Sequence, residues 1–208
     1  MKSFRRSENI GIYNNVITNA YVGILSIGYN NSTSPWSLID QSIDIGSLGG
    51  NTISGFGGST NNTYGIYVTY ANGIKIANNT ISNATSIGTG PLYATYNNSC
   101  GNADIYSNDL SCSSSATSSS GAYAVYTGAG GYGTSTTVNV YSNIIHDWNG
   151  LSMTNNALWL IDQIGSPTNL NIYSNSNCSY NNKFSEHKEY LFSDKKNYTG
   201  KNFIIFIN

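Results

Sequence analysis

The stretch Ile74-Lys75-Ile76-Ala77-Asn78-Asn79-Thr80-Ile81 alternates apolar and polar residues, turns on two asparagines, and resumes with threonine and isoleucine. Alternation with period two marks a strand with one buried face. Asparagine suits the corner because it tolerates the left-handed backbone better than other residues that carry a side chain. The same phrase recurs as Ile12-Tyr13-Asn14-Asn15-Val16-Ile17, Ile105-Tyr106-Ser107-Asn108-Asp109-Leu110 and Val140-Tyr141-Ser142-Asn143-Ile144-Ile145. Ile172-Tyr173-Ser174-Asn175 begins another copy, and Ile43-Asp44-Ile45 followed by Asn51-Thr52-Ile53 is a copy with three extra residues in its turn. The anchors at 12, 45, 76, 105, 140 and 172 lie 29 to 35 residues apart, with a mean of 32. A fixed period of this length is the signature of a repeat architecture.

Each period holds a further strand, at Val22-Gly23-Ile24, Gly65-Ile66-Tyr67-Val68, Leu92-Tyr93-Ala94, Ala124-Val125-Tyr126 and Leu158-Trp159-Leu160. Gly- and Ser-rich stretches such as Ser113–Ser120 and Gly128–Gly133 join the strands. Three short strands per period with corners between them describe one rung of a parallel β-helix. About six rungs at ~4.8 Å each make a rod roughly 29 Å long. A polar β-sandwich gives no reason for an asparagine period of this kind. The Ile-x-x-Asn-x-Ile phrase resembles that of the right-handed parallel β-helix proteins, the superfamily of pectate lyases, polygalacturonases, phage tailspikes and many bacterial surface proteins. The resemblance covers residues 8–182. It implies an all-β, right-handed solenoid in which Asn15, Asn79, Asn108, Asn143 and Asn175 form an internal asparagine ladder. It also implies an extracellular or cell-surface location.

Charged residues are 9% of the 208-residue chain, against ~25% in ordinary soluble domains, and 31 asparagines take their place. The net charge of −1 excludes a partner recognised by phosphate neutralisation, so no nucleic acid is expected. No apolar run reaches the ~18 residues of a membrane span. Lys2, Arg5 and Arg6 mark residues 1–7 as a basic N-terminal stub, and the array of residues 8–182 carries seven acidic side chains and Lys75 as its one base. Ordinary composition returns in residues 183–208, a tail or cap in which Asn202–Ile207 reads as a final strand covering the sixth rung. The first strand starts almost at Met1, with no signal peptide and no capping element before it. The array therefore reads as part of a larger chain.

Residues beside the inward anchors point out. One outer column reads Tyr13, Gly46, Ala77, Tyr106, Tyr141, Tyr173; a second reads Leu25, Tyr67, Tyr93, Tyr126, Trp159. Aromatic rings one rung apart stack, at ~0.5–1.5 kcal/mol per pair. Such columns stiffen a rod with little charge, and Tyr67, Tyr93, Tyr126 and Trp159 are the candidate contact column for a polysaccharide or cell-surface glycan. Lys75 falls between Asp44 and Asp104 on neighbouring rungs, a local neutralisation.

An enzyme reading has less to work with. The array has no arginine and lacks the Asn-Thr-Asp, Asp-Asp, Gly-His-Gly and Arg-Ile-Lys motifs of polygalacturonase-like hydrolases. His146, Asp147 and Asp162, beside Trp148 and Trp159, are the remaining catalytic candidates: a histidine between carboxylates supplies general acid or base, and paired carboxylates serve a glycosidase. Cys100, Cys112 and Cys178 show no metal-ligand spacing, so neither a metal site nor a cofactor is expected. Cys112 and Cys178 lie about two rungs apart, ~10 Å, too far for a disulfide, which leaves Cys100–Cys112 as the conceivable bridge. The leading expectation is a non-catalytic rod contacting polysaccharide or serving as an adhesin segment. The alternatives are a glycan-cleaving enzyme and a passive spacer.

Overall fold

A computed structural model of the chain describes residues 6–31, 33–59, 62–82, 86–87, 90–114, 121–150, 158–178, 189–194 and 203–207. These residues form strands and turns wound into a parallel β-solenoid with three faces. The first face stacks Glu8–Ile12, Asp40–Ile45, Ile74–Ala77, Ala103–Tyr106, Thr137–Tyr141 and Asn169–Cys178 in chain order. After the asparagine corner, the second face stacks Val16–Thr18, Thr52–Ser54, Thr80–Ser82, Asp109–Ser114 and Ile144–Gly150, and is completed by the end of Asn169–Cys178. The third face stacks Val22–Ile27, Thr63–Thr69, Leu92–Cys100, Ala122–Ala129, Leu158–Gln163 and Glu189–Asp194. Every one of these pairings is parallel.

The sequence anchors are register partners. Ile12 faces Ile45, Ile45 faces Ile76, Ile76 faces Ile105, Ile105 faces Val140, and Val140 faces Ile172. Across the corner, Ile17, Ile53, Ile81, Leu110 and Ile145 form a second inward column. Ile45, Ile53, Ile76, Ile81, Ile105 and Leu110 have no solvent exposure, and full burial of such a side chain contributes ~1.5–3 kcal/mol. The alternating strand pattern thus builds one apolar filament along the axis of the rod.

Four turns, residues 40–163, have a paired turn on both sides at all three faces, whereas about six rungs were expected from the anchors. The anchor count includes the outermost turns, which lack a partner on one side at two or three of their faces, and in the first of them Ile10, Ile12 and Ile17 are only partly buried. The tail contributes backbone to the far end. Glu189–Asp194 pairs with Leu158–Gln163, and Phe203–Ile207 pairs in parallel with Asn169–Cys178. Residues 183–188 of the expected tail lie outside the described residues. Among the described residues no helix is long and apolar enough to cross a membrane.

The asparagine ladder is present and includes Asn51 from the enlarged turn. Asn15, Asn51, Asn79, Asn108, Asn143 and Asn175 are joined by Nδ2 donors to Oδ1 acceptors at 2.8–3.0 Å. A second amide column runs along the start of the first-face strands. Thr137 N donates to Asn102 Oδ1, Asn102 Nδ2 to Asn72 Oδ1, and Asn72 Nδ2 to Gln41 Oε1. It donates toward the first turn, against the direction of the corner ladder.

Candidate functional site: a tyrosine-ribbed face

Along the third face the period-two rule breaks once per turn. In Leu92–Cys100, Tyr93 and Tyr96 both lie on the outer side, while Ala94 and Thr95 between them are buried. Two consecutive inward residues make a bend. A Cβ on Gly23 would lie 2.5 Å from Ile53 Cγ2, and one on Gly65 would lie 2.7 Å from Ile81 Cγ2. At Gly23 and Gly65 the bend therefore presses the third face against the second-face isoleucines, and glycine is what fits there.

This bend corrects the expected single column of Tyr67, Tyr93, Tyr126 and Trp159. The structure splits it in two. Tyr64, Tyr93 and Tyr123 are register partners in one column, and Trp159 follows them. Tyr67, Tyr96 and Tyr126 form the other, preceded by Leu25 and followed by Asp162. The side chain of Trp159 lies outside the described residues. Tyr64, Tyr96 and Tyr123 were missed because an uninterrupted alternation cannot place residues three apart on one side. The spacing Tyr64-Tyr67, Tyr93-Tyr96, Tyr123-Tyr126 was the available signal.

Six rings form a two-column lattice. Within the columns centroids are 4.8–5.2 Å apart and planes differ by 4–17°. Between the columns centroids are 4.8–5.5 Å apart and planes meet at 70–89°. This herringbone engages ring faces with neighbouring rings and edges, the two arrangements the aromatic quadrupole favours. The tyrosines are half-buried except Tyr93, which is 7% exposed. Burial pushes the phenol pKa values of Tyr64, Tyr93, Tyr96 and Tyr126 up, so these phenols are neutral over the physiological range. Tyr64 Oη accepts from Asn62 Nδ2 at 2.9 Å, and Tyr96 Oη accepts from Asn98 Nδ2 at 3.1 Å.

On the first face, Tyr106, Tyr141 and Tyr173 stack at 4.9 and 5.0 Å, as the sequence column implied. Lys75 is in register between Asp44 and Asp104. Both carboxylates also serve their own neighbours: Asp44 accepts from Ser47 N and its hydroxyl, and Asp104 accepts from Asn139 Nδ2 at 2.6 Å.

The catalytic candidates do not share a face. Asp147 and His146 stand on the second face, while Asp162 stands on the third, fully buried at the head of the Tyr126 column. His146 is tied at both nitrogens: Nε2 lies 2.7 Å from Asp109 Oδ1 on the turn below, and Nδ1 lies 3.0 Å from Asp147 Oδ2. Asp147 first, and Asp109 after it, hold the imidazole above its ordinary pKa. A ring held by two carboxylates has neither nitrogen free for a substrate proton. Trp148 has its side chain outside the described residues.

Among the described residues no group of three or more His, Cys, Asp or Glu side chains could hold a metal ion. Cys100 is a buried free thiol, so the conceivable Cys100–Cys112 bridge is not formed, and burial pushes its pKa up to about 12. The side chains of Cys112 and Cys178 lie outside the described residues. No family model, curated protein or solved structure matches the chain.

Proposed function

We propose that this chain is a non-catalytic rod of the right-handed, pectate lyase-like kind, acting at a cell surface or outside the cell, whose tyrosine-ribbed face contacts a neutral polysaccharide. The observation that carries the reading is the herringbone lattice itself. It is flat, rigid and uncharged, and it repeats one pair of phenols per turn. Because the ring faces are engaged with one another, the contact is made by phenol edges and hydroxyls rather than by stacking of sugars on rings. Hydroxyls at regular intervals suit a ligand that is itself a repeating polyol, and low charge suits a neutral one.

The same ring engagement favours a second reading, a passive spacer in which the tyrosines only stiffen the rod. Retention on immobilised neutral polysaccharides separates the two. Tyr67→Phe/Tyr96→Phe/Tyr126→Phe keeps the rings and removes three hydroxyls. The wild-type chain is expected to be retained and the variant to lose about tenfold in affinity, ~1.4 kcal/mol. Equal retention of both would overturn the hydroxyl contact, and no retention of either would leave the spacer. A glycan-cleaving enzyme would need Asp147, Asp162 and His146 to act together from two faces. Reducing-sugar release that disappears in Asp147→Asn or Asp162→Asn would overturn the non-catalytic reading.

A further inference from the structure

The corner ladder bonds its buried amides at both ends, which sets one other buried amide apart. Asn97 lies on the inward side of Leu92–Cys100, 1% exposed, and neither its Nδ2 nor its Oδ1 has a hydrogen-bond partner. In its column Val68 stands on the turn below, Thr127 on the turn above, and Gln163 one turn further. Thr127 and Gln163 have no exposure. Gln163 Nε2 donates to the Ala129 carbonyl at 3.3 Å, but its Oε1 has no partner. Thr127 Oγ1 accepts from Ala129 N at 3.3 Å.

Turns are ~4.8 Å apart, which puts Asn97 and Gln163 roughly 10 Å from each other and beyond direct contact. An unpaired amide in a closed interior is strongly unfavourable. Whatever satisfies Asn97 must accept from Nδ2 and also donate to Oδ1. A cation can meet only the oxygen, and an anion only the nitrogen. Water does both, and buried water characteristically joins polar groups that have no other partner.

We infer that the interior of the solenoid holds a short file of ordered water, bonded to Asn97, passing Thr127 and ending at Gln163 Oε1. Val68 closes the file below with an apolar wall. The site is independent of the tyrosine face, since it lies on the opposite side of the same strands. It makes the third face wet inside across three successive turns, while the isoleucine columns remain dry.

The test is water–protein NMR on the full chain, with bulk water as the probe. Cross-relaxation between long-lived water and the Asn97 Hδ2 protons is expected, together with buried-water residence visible in oxygen-17 relaxation dispersion. Asn97→Val, which copies Val68 of the turn below, should remove at least one long-lived water from that dispersion. Gln163→Leu should do the same, and serves if the first variant does not fold. Absence of water cross-peaks at assigned Asn97 Hδ2 protons in the wild type would overturn the inference. So would an unchanged dispersion amplitude in a folded variant.

Discussion

An asparagine amide has two donor hydrogens and an oxygen that accepts twice, and the corner position uses all of them. Asn79 Nδ2 has three acceptors in reach, Asn108 Oδ1 and the carbonyls of Ile45 and Ala77, so two of them share one hydrogen, while its own Oδ1 accepts from Asn51 N and Nδ2. An aspartate at this site could not donate at all, and a serine has one hydrogen to donate where the position uses two. Asn108→Ala is therefore expected to cost about 3 kcal/mol or more, since it removes several bonds and strands the donors of Asn79. Urea unfolding reads this directly, and an unchanged midpoint would contradict it. His146 offers a different residue-scale check. Its folded pKa is raised above 6.5 by Asp147 and Asp109, so its contribution is fully present below that value. The contribution is lost as pH rises through the raised folded pKa. A proton titration of the His146 ring should give a midpoint above 6.5, and the wild-type midpoint in urea should fall with rising pH more than that of His146→Gln. A ring titrating at or below its ordinary value would contradict the bridged geometry.

At the scale of a strand, the third face shows what sequence periodicity captures and where it stops. The first-face strands alternate cleanly, and the anchors, the corner and the Tyr106-Tyr141-Tyr173 column were all legible from that alternation. The third-face strands bend where two consecutive residues face inward, and the alternation shifts by one beyond them. That shift hid Tyr64, Tyr96 and Tyr123, and merged two columns into one. The second amide column, Gln41-Asn72-Asn102-Thr137, repeats every 30 to 35 residues in the sequence like the anchors. It was hidden for another reason: glutamine, asparagine and threonine occupy one geometric role there, so identity does not repeat. Asp147 and Asp162, near in sequence, stand on different faces of the solenoid, because nearness in sequence does not imply a shared face. The bend makes its own prediction. A methyl at Gly65 would stand 2.6 Å from the Ala94 carbonyl and 2.7 Å from Ile81 Cγ2. Gly65→Ala should accordingly cost about 1–3 kcal/mol, read from thermal or urea unfolding, although alanine ordinarily stabilises an extended chain relative to glycine. A neutral or stabilising effect would mean that the two faces do not approach as described.

In the whole molecule each turn pairs its backbone only with the turns beside it, while the Tyr132 ring reaches past its neighbouring turn to Tyr70 and Trp36, at 6.2 and 6.5 Å between centroids, so stability is largely a sum of turns and the interfaces between them. Interfaces are complete across residues 40–163 and thinner in the first turn, where Val16, Leu25 and Ile27 are 77%, 57% and 59% exposed. Local opening should follow the same gradient, with the enclosed turns the last to exchange. The corner ladder runs through all of them and is the feature on which the solenoid account rests most. Its most direct test is exchange of asparagine side-chain amide protons with deuterated water, followed residue by residue by NMR. The account predicts that the Nδ2 protons of Asn51, Asn79, Asn108 and Asn143 are protected together, as one set, while those of the solvent-facing Asn14 exchange at the rate of a free amide. Exchange of all four ladder amides at the free rate would contradict the stacked solenoid itself.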